Sequence, residues 1–221
     1  MYLENSRLRQ LYRLVFLFLC EMGIILQYDI VSRIGGSVGI LTCYYTILSN
    51  FVCLLYFAYL VVWQPQKENP SVKGGVVLCI AITGLVYHFM LNGAMEAGVG
   101  AVAEVTFVEV LANTLVHYVV PIMTFLDYLL FSPKGGFKWK DPILWLSPAA
   151  LYVVFILIRA EVSTATFAGF SGQSRYPYPF VDVDLYGAGM VALMVLGILV
   201  GFLLLGCLIC GLDKLLGRKA R

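Results

Sequence analysis

Residues 105–131 read VTFVEVLANTLVHYVVPIMTFLDYLLF. The stretch exceeds the roughly 20 residues that a helix needs to cross a hydrocarbon core. It carries Glu109, Asn113, His117 and Pro121 at intervals of four, which in a helix sets all four on one face. An ionisable side chain at membrane depth costs roughly 2.5–3.5 kcal/mol on insertion scales, so such groups normally face a bundle interior and mark a site. The chain has only 2 histidines, which makes His117 the most informative of the four.

The rest of the chain agrees with a membrane setting. Apolar residues make up 61%, charged residues 13%, and the mean hydropathy is +0.88, more apolar surface than a soluble domain of this length can hide. Six segments are long enough to span, at 11–30, 39–63, 72–92, 105–131, 142–160 and 186–210. The expected fold is therefore an all-α integral membrane protein, one six-helix transmembrane domain over residues 1–221. The first segment has the basic start of a signal peptide, but Glu21, Gln27 and Asp29 follow it instead of a small-residue cleavage site. It reads as an uncleaved first helix.

Basic residues set the orientation. Arg7, Arg9 and Arg13, Lys67 and Lys73, Lys134, Lys138 and Lys140, then Lys214, Arg218, Lys219 and Arg221 all fall on one side. Only Arg33, Arg159 and Arg175 fall on the other. The positive-inside rule puts both termini in the cytoplasm, in a plasma (cell) membrane. The net charge of +2 and the absence of a basic, aromatic-interleaved surface point away from nucleic acid. Cysteines 20, 43, 53, 79, 207 and 210 lie in or near the helices; Cys207 and Cys210 have metal-like spacing without further ligands nearby, so packing is the reading for all six.

The loops carry two further features. Residues 93–104 are rich in Gly and Ala with Glu96 and Glu104, and fit either a hairpin or a shallow re-entrant turn. The longest loop, 161–186, ends in Arg175-Tyr-Pro-Tyr-Pro-Phe-Val-Asp182. Its prolines stiffen the backbone and its tyrosines suit a membrane interface. Tyr176, Tyr178, Pro179 and Asp182 are either an interfacial anchor or the lid and rim of a cavity. In the last segment, Gly197 and Gly201 fit close helix packing.

The polar residues inside the spans suggest nucleophilic chemistry. Thr46 and Asn50 share a face of the second helix, with Ser49 and Cys53 near it. A threonine hydroxyl needs an adjacent base, for which neutral histidine is the usual choice, and something must orient the ring. Asn113 or Glu109 are the candidates. Pro121 removes one backbone bond and favours a kink beside the histidine. Counted from the outer helix ends at 1.5 Å per residue, Thr46 lies about 10 Å deep and His117 about 18 Å, a gap that shifted boundaries or tilt must close. A haem between His88 and His117, or a zinc site with Glu109, meets a larger offset, because His88 lies only about 6 Å deep. No metal or cofactor is expected.

Thr46 early in the second helix, Asn113-x-x-x-His117 with Pro121 downstream, and Tyr178-Pro179-Phe180-Val-Asp182 before the last helix resemble the androgen-induced and androgen-dependent-inhibitor family of membrane threonine hydrolases. The bacterial six-helix "Pr-six-Pr" branch is the most similar. The resemblance implies cleavage of fatty-acid esters of hydroxy fatty acids, with Thr46 as nucleophile and His117 as base. Thr42, Ser49 and Thr114 are rival hydroxyls. The expected partners are a lipid or fatty-acyl ester substrate and membrane lipids, with no oligomeric state implied. The alternatives are a small transporter or channel using Glu21, Glu109, His117 and Asp127 as a polar pathway, and a scaffold whose polar groups simply bond across helices.

Overall fold

The computed structural model describes residues 6–33, 38–91, 106–169 and 172–218. Among the described residues, six helices are long and apolar enough to cross a membrane: α1 (Ser6–Arg33), α3 (Tyr45–Trp63), α4 (Pro70–Leu91), α5 (Phe107–Phe131), α6 (Asp141–Val162) and α7 (Val183–Arg218). A one-turn helix, α2 (Val38–Leu41), precedes α3. The architecture is that of an all-α membrane protein. Its outward surface is apolar, with Phe18, Leu55, Leu151, Leu193 and Leu204 all well exposed, as lipid-facing side chains should be.

Local chemistry fixes the helix ends. Asn69 caps α4 by accepting from the N–H groups of Ser71 (3.0 Å) and Val72 (3.4 Å), with Pro70 in the first turn where a missing N–H costs nothing. Thr106 and Glu109 form a reciprocal capping box at the start of α5. Gln64 ends α3 in the left-handed conformation at φ 43°. Within the last helix Gly187 takes φ 74°, ψ 155°, a break that side-chain-bearing residues resist.

α4 is the hub, packing against α3, α5, α6 and α7, while α1 lies against α3 and α5. One core gathers Phe16, Cys20, Phe57, Ile80 and Val120 between α1, α3, α4 and α5. Another joins α4, α5, α6 and α7 around Leu78, Tyr128 and Trp145. A third, around Tyr152, Ile156, Tyr176 and Tyr178, fastens the long loop before α7 to α6.

Three sequence expectations change here. The second spanning helix starts at Tyr45, not at 39, because α2 ends in a turn in which Thr42 Oγ1 donates to Gly39 O (2.6 Å) and the Cys43 and Tyr44 N–H groups close on Ile40 and Leu41. The long loop is partly ordered: β1 (Phe167–Gly169) and β2 (Gly172–Ser174) pair antiparallel, and Pro179–Val181 makes a 3-10 turn. Among the described residues, the glycines at 197 and 201 have no neighbour within 4 Å of where a Cβ would stand, so they serve no helix contact there. The 93–104 loop lies outside the described residues.

A buried ionic knot sits far along α5 from His117. Arg13 donates to Asp127 (Nε–Oδ1, 2.9 Å) and to Glu68 (2.5 Å), and Lys73 Nζ donates to Asp127 Oδ2. Arg13 and Lys73 belonged to the basic residues assigned to tail and loop, yet both are almost fully buried. Two cations meet two carboxylates, so the knot is neutral.

Candidate functional site

Pro121 shapes the region around His117. With no N–H on residue 121, the regular bonding of α5 is interrupted just upstream, and residues Leu115–Val119 wind as a π-helix, the Val120 N–H reaching back to Leu115 O. The carbonyl of Val116 is met instead from α3, by Asn50 Nδ2 at 3.2 Å; the same amide donates to Thr46 O at 2.8 Å. Asn50 thus ties the first turn of α3 to the π segment. Its Oδ1 is buried and has no partner among the described residues.

Two glycines let neighbouring helices approach this segment. A Cβ on Gly84 of α4 would stand 2.9 Å from His117 O, and one on Gly23 of α1 would stand 2.9 Å from the Leu115 side chain. Gly84→Ala must push against backbone, not a flexible chain end. The expected cost is about 1–3 kcal/mol of stability, visible as a lower thermal midpoint of the detergent-solubilised protein. An unchanged midpoint would mean that α4 and α5 can slide apart freely.

The result of this packing is a direct contact between the two residues singled out from the sequence. Thr46 Oγ1 lies 3.2 Å from His117 Nε2. His117 Nδ1 lies 3.0 Å from Asn113 O, and a carbonyl only accepts. The Nδ1 atom must therefore carry the proton, which leaves the Nε2 lone pair facing the threonine hydroxyl. Tyr87 stacks on the imidazole, ring centres 3.8 Å apart at 16°, and holds its plane. His117 itself is 7% exposed. Thr46 is the second residue of α3 and His117 the eleventh of α5, so counting from the helix ends does not close the depth gap foreseen from the sequence; the two meet because α3 starts beside the middle of α5.

The orienting group differs from the expectation. It is the backbone of Asn113, while the Asn113 side chain turns to α1 and accepts from Gln27 Nε2 at 2.9 Å. Glu109 is spent on its cap: its Oε2 accepts from the Thr106 N–H (2.8 Å) and hydroxyl (2.9 Å). A capping carboxylate two turns upstream cannot reach the ring. The rival hydroxyls are elsewhere: Thr42 bonds Gly39, Thr114 is exposed, and Ser49 bonds Thr46 O (3.0 Å) and Thr83 Oγ1 (2.6 Å). His88 is exposed and pairs with Tyr118 Oη at 3.2 Å. The polar pathway of the transporter reading does not converge, since Glu21 is exposed, Glu109 caps a helix and Asp127 is held in the ionic knot.

Thr46 forms part of the wall of an apolar cleft between α3, α4, α6, α7 and the long loop before α7. Ile82, Val86, Val195, Leu199 and Phe202 supply aliphatic and aromatic wall; Thr46, Thr83 and the tyrosines supply the few polar atoms. Of the four expected rim residues, Tyr178 lines the cleft, together with Phe180 and Val181. Tyr176 packs into the loop's own core. Asp182 instead caps α7, accepting from the Leu185 N–H (3.0 Å) and from Ser174 Oγ (2.6 Å). Pro179 starts the 3-10 turn.

No family model, curated protein or solved structure matches this chain. Three parts of the site escaped sequence reasoning: the Tyr87 stack, the Asn50–Val116 tie and the Gln27–Asn113 bond. Gln27 alone left a trace, as an amide inside an apolar span.

Proposed function

We propose that this protein is an intramembrane hydrolase of lipid-like carboxylic esters, with Thr46 as nucleophile and His117 as general base. One observation carries the reading: a histidine locked by a backbone carbonyl into the tautomer whose free nitrogen faces a threonine hydroxyl, on the wall of an apolar cleft. A hydroxyl in that contact loses its proton to imidazole as it attacks a carbonyl carbon, giving an acyl-threonine that water then hydrolyses by the same route. The cleft lining suits an acyl chain, with a few polar atoms near the ester to set its position.

The sequence resemblance to the androgen-induced and androgen-dependent-inhibitor hydrolases supports the same reading and narrows the substrate to fatty-acid esters of hydroxy fatty acids. The basic-residue distribution supports a cell-membrane protein with both termini cytoplasmic and the Thr46–His117 site nearer the outer face. The deciding experiment is hydrolysis of a panel of long-chain esters by purified protein, with Thr46→Ala and His117→Ala as controls. Full activity in both well-folded variants would sink the mechanism.

A further inference from the structure

A serine-type ester hydrolysis needs a third function besides nucleophile and base. As the hydroxyl oxygen bonds to the carbonyl carbon, the carbonyl oxygen becomes an oxyanion, and a donor must be waiting where that charge forms. Neither Thr46 nor His117 can supply it, since one is consumed as nucleophile and the other holds the transferred proton. The donor must lie on the cleft side of Thr46, within reach of its hydroxyl.

Tyr178 meets these conditions. Its side chain is buried, lines the cleft beside Thr46, and belongs to a different part of the chain. The Tyr45 N–H, one of the first N–H groups of α3 and without a partner inside the helix, donates to Tyr178 Oη at 3.1 Å. The phenol oxygen is thus engaged as an acceptor from the backbone, and its own proton is left to point elsewhere. Burial pushes the Tyr178 hydroxyl up to about 12. A phenol held neutral beside a nucleophile is equipped to donate, not to take the proton.

The loop is built to hold the ring still. Tyr178 stacks on Phe180 (5.2 Å, 7°) and meets Tyr44 edge-on (5.9 Å, 76°). The strand-bearing segment before it is clamped to α6 by Arg159, which donates to Arg175 O (2.8 Å) and Ala165 O (2.6 Å), and to α7 by the Arg175–Asp184 ion pair at 2.6 Å. Prolines 177 and 179 flank the tyrosine and remove backbone freedom on both sides.

We propose that Tyr178 is a catalytic residue of this site, its hydroxyl donating a hydrogen bond to the oxyanion formed when Thr46 attacks the ester. The proposal rests on the hydrolase reading above. In acylation the Thr46 Oγ–C bond forms, the carbonyl π pair moves to oxygen under the Tyr178 hydroxyl, and the threonine proton passes to His117 Nε2. The intermediate collapses by breaking the ester C–O bond, and the leaving alcohol takes the proton from His117. Water then attacks the acyl-threonine, giving its proton to His117 Nε2 and forming a second oxyanion at the same place. Collapse releases the acid and returns the proton to Thr46 Oγ. Tyr178 keeps its own proton throughout.

The test uses the full chain in detergent or lipid vesicles. Tyr178→Phe keeps the ring and its packing and deletes only the hydroxyl. The expected result is a kcat lower by about 10²–10³-fold with KM changed less than about threefold. Affinity for a long-chain trifluoromethyl ketone, which adds Thr46 to form a hemiketal oxyanion, should fall by a comparable factor. Affinity for the matching ether, which forms no oxyanion, should not change. Tyr178 replaced by 3,5-difluorotyrosine keeps the shape and acidifies the phenol, so the alkaline limb of kcat should move to lower pH. A Phe variant with wild-type kcat, or one that loses ketone and ether binding alike, overturns the role assigned to Tyr178 and leaves the Thr46–His117 reading standing. Full activity in Thr46→Ala and His117→Ala, or a wild-type protein inert on every ester, overturns both.

Discussion

His117→Ala is expected to lower ester hydrolysis by about 10⁴-fold or more, and Thr46→Ala by a similar factor. The expectation follows from their 3.2 Å contact and from the tautomer that Asn113 O imposes. The sharper forecast concerns the double variant. Residues that act as one unit are not additive, so Thr46→Ala/His117→Ala should be no slower than the worse single variant. Two independent contributions would instead multiply. Thr46→Ser restores a hydroxyl in place and should recover most of the activity, whereas His117→Gln, which has no basic nitrogen, should not. The measurement is kcat/KM on a long-chain ester with matched thermal midpoints as the check on folding. Multiplicative losses, or a fully active His117→Gln, would refute a Thr–His pair. A polar scaffold reading gives the opposite forecast, with near-normal behaviour for His117→Gln.

The six spans were legible because hydropathy over about 20 residues is a sum, insensitive to detail. What the sum cannot register is a break that is itself apolar. Residues 39–44 contain no charged residue and no proline to mark a break, and the turn between α2 and α3 is made by Thr42, Cys43 and Tyr44 bonding backward and by packing of Tyr44 against Phe167 and Tyr178. That packing is supplied from more than a hundred residues away. The consequence for the site is direct, because Thr46, the hydroxyl that meets His117, then stands in the first turn of α3.

The candidate site was legible in its members more than in its bonds. His117, Asn113, Thr46 and Asn50 stood out because polar groups in apolar spans are costly. Which atom of Asn113 acts was hidden, since its side chain is taken by Gln27 of α1 and its backbone carbonyl meets the ring instead. Glu109 shows the limit of spacing arguments. Its place in the stripe is regular, yet the capping box with Thr106 claims the carboxylate first. Lys73 shows the limit of counting charge: a lysine assigned to a cytoplasmic loop is 1% exposed, buried by a carboxylate 54 residues away in sequence.

That lysine leads to the largest stability effect foreseen. Asp127 is fully buried and accepts from Arg13 Nε (2.9 Å), from Arg13 NH2 (3.2 Å) and from Lys73 Nζ. Asp127→Asn preserves size but removes the charge at the centre of the knot. Glu68 would then face two buried cations, and its nearer link to Lys73 is 3.8 Å. Leaving a buried charge uncompensated costs about 3–5 kcal/mol, a fall in Tm on the order of 10 °C for a chain of this length. Glu68→Gln should cost less, because Glu68 is partly exposed at 11% and removes one strong bond. Adding Lys73→Met to Asp127→Asn restores neutrality with the Arg13–Glu68 pair, so the double variant should be more stable than Asp127→Asn alone. Thermal unfolding in detergent decides this; an Asp127→Asn midpoint within a degree or two of wild type would show the knot to be energetically idle. Asp127 lies about 15 Å along α5 from His117, so the folded fraction should keep its activity per molecule. A loss of activity beyond the loss of folded protein would instead mean that the knot sets the register of α1, α4 and α5 on which the π segment depends.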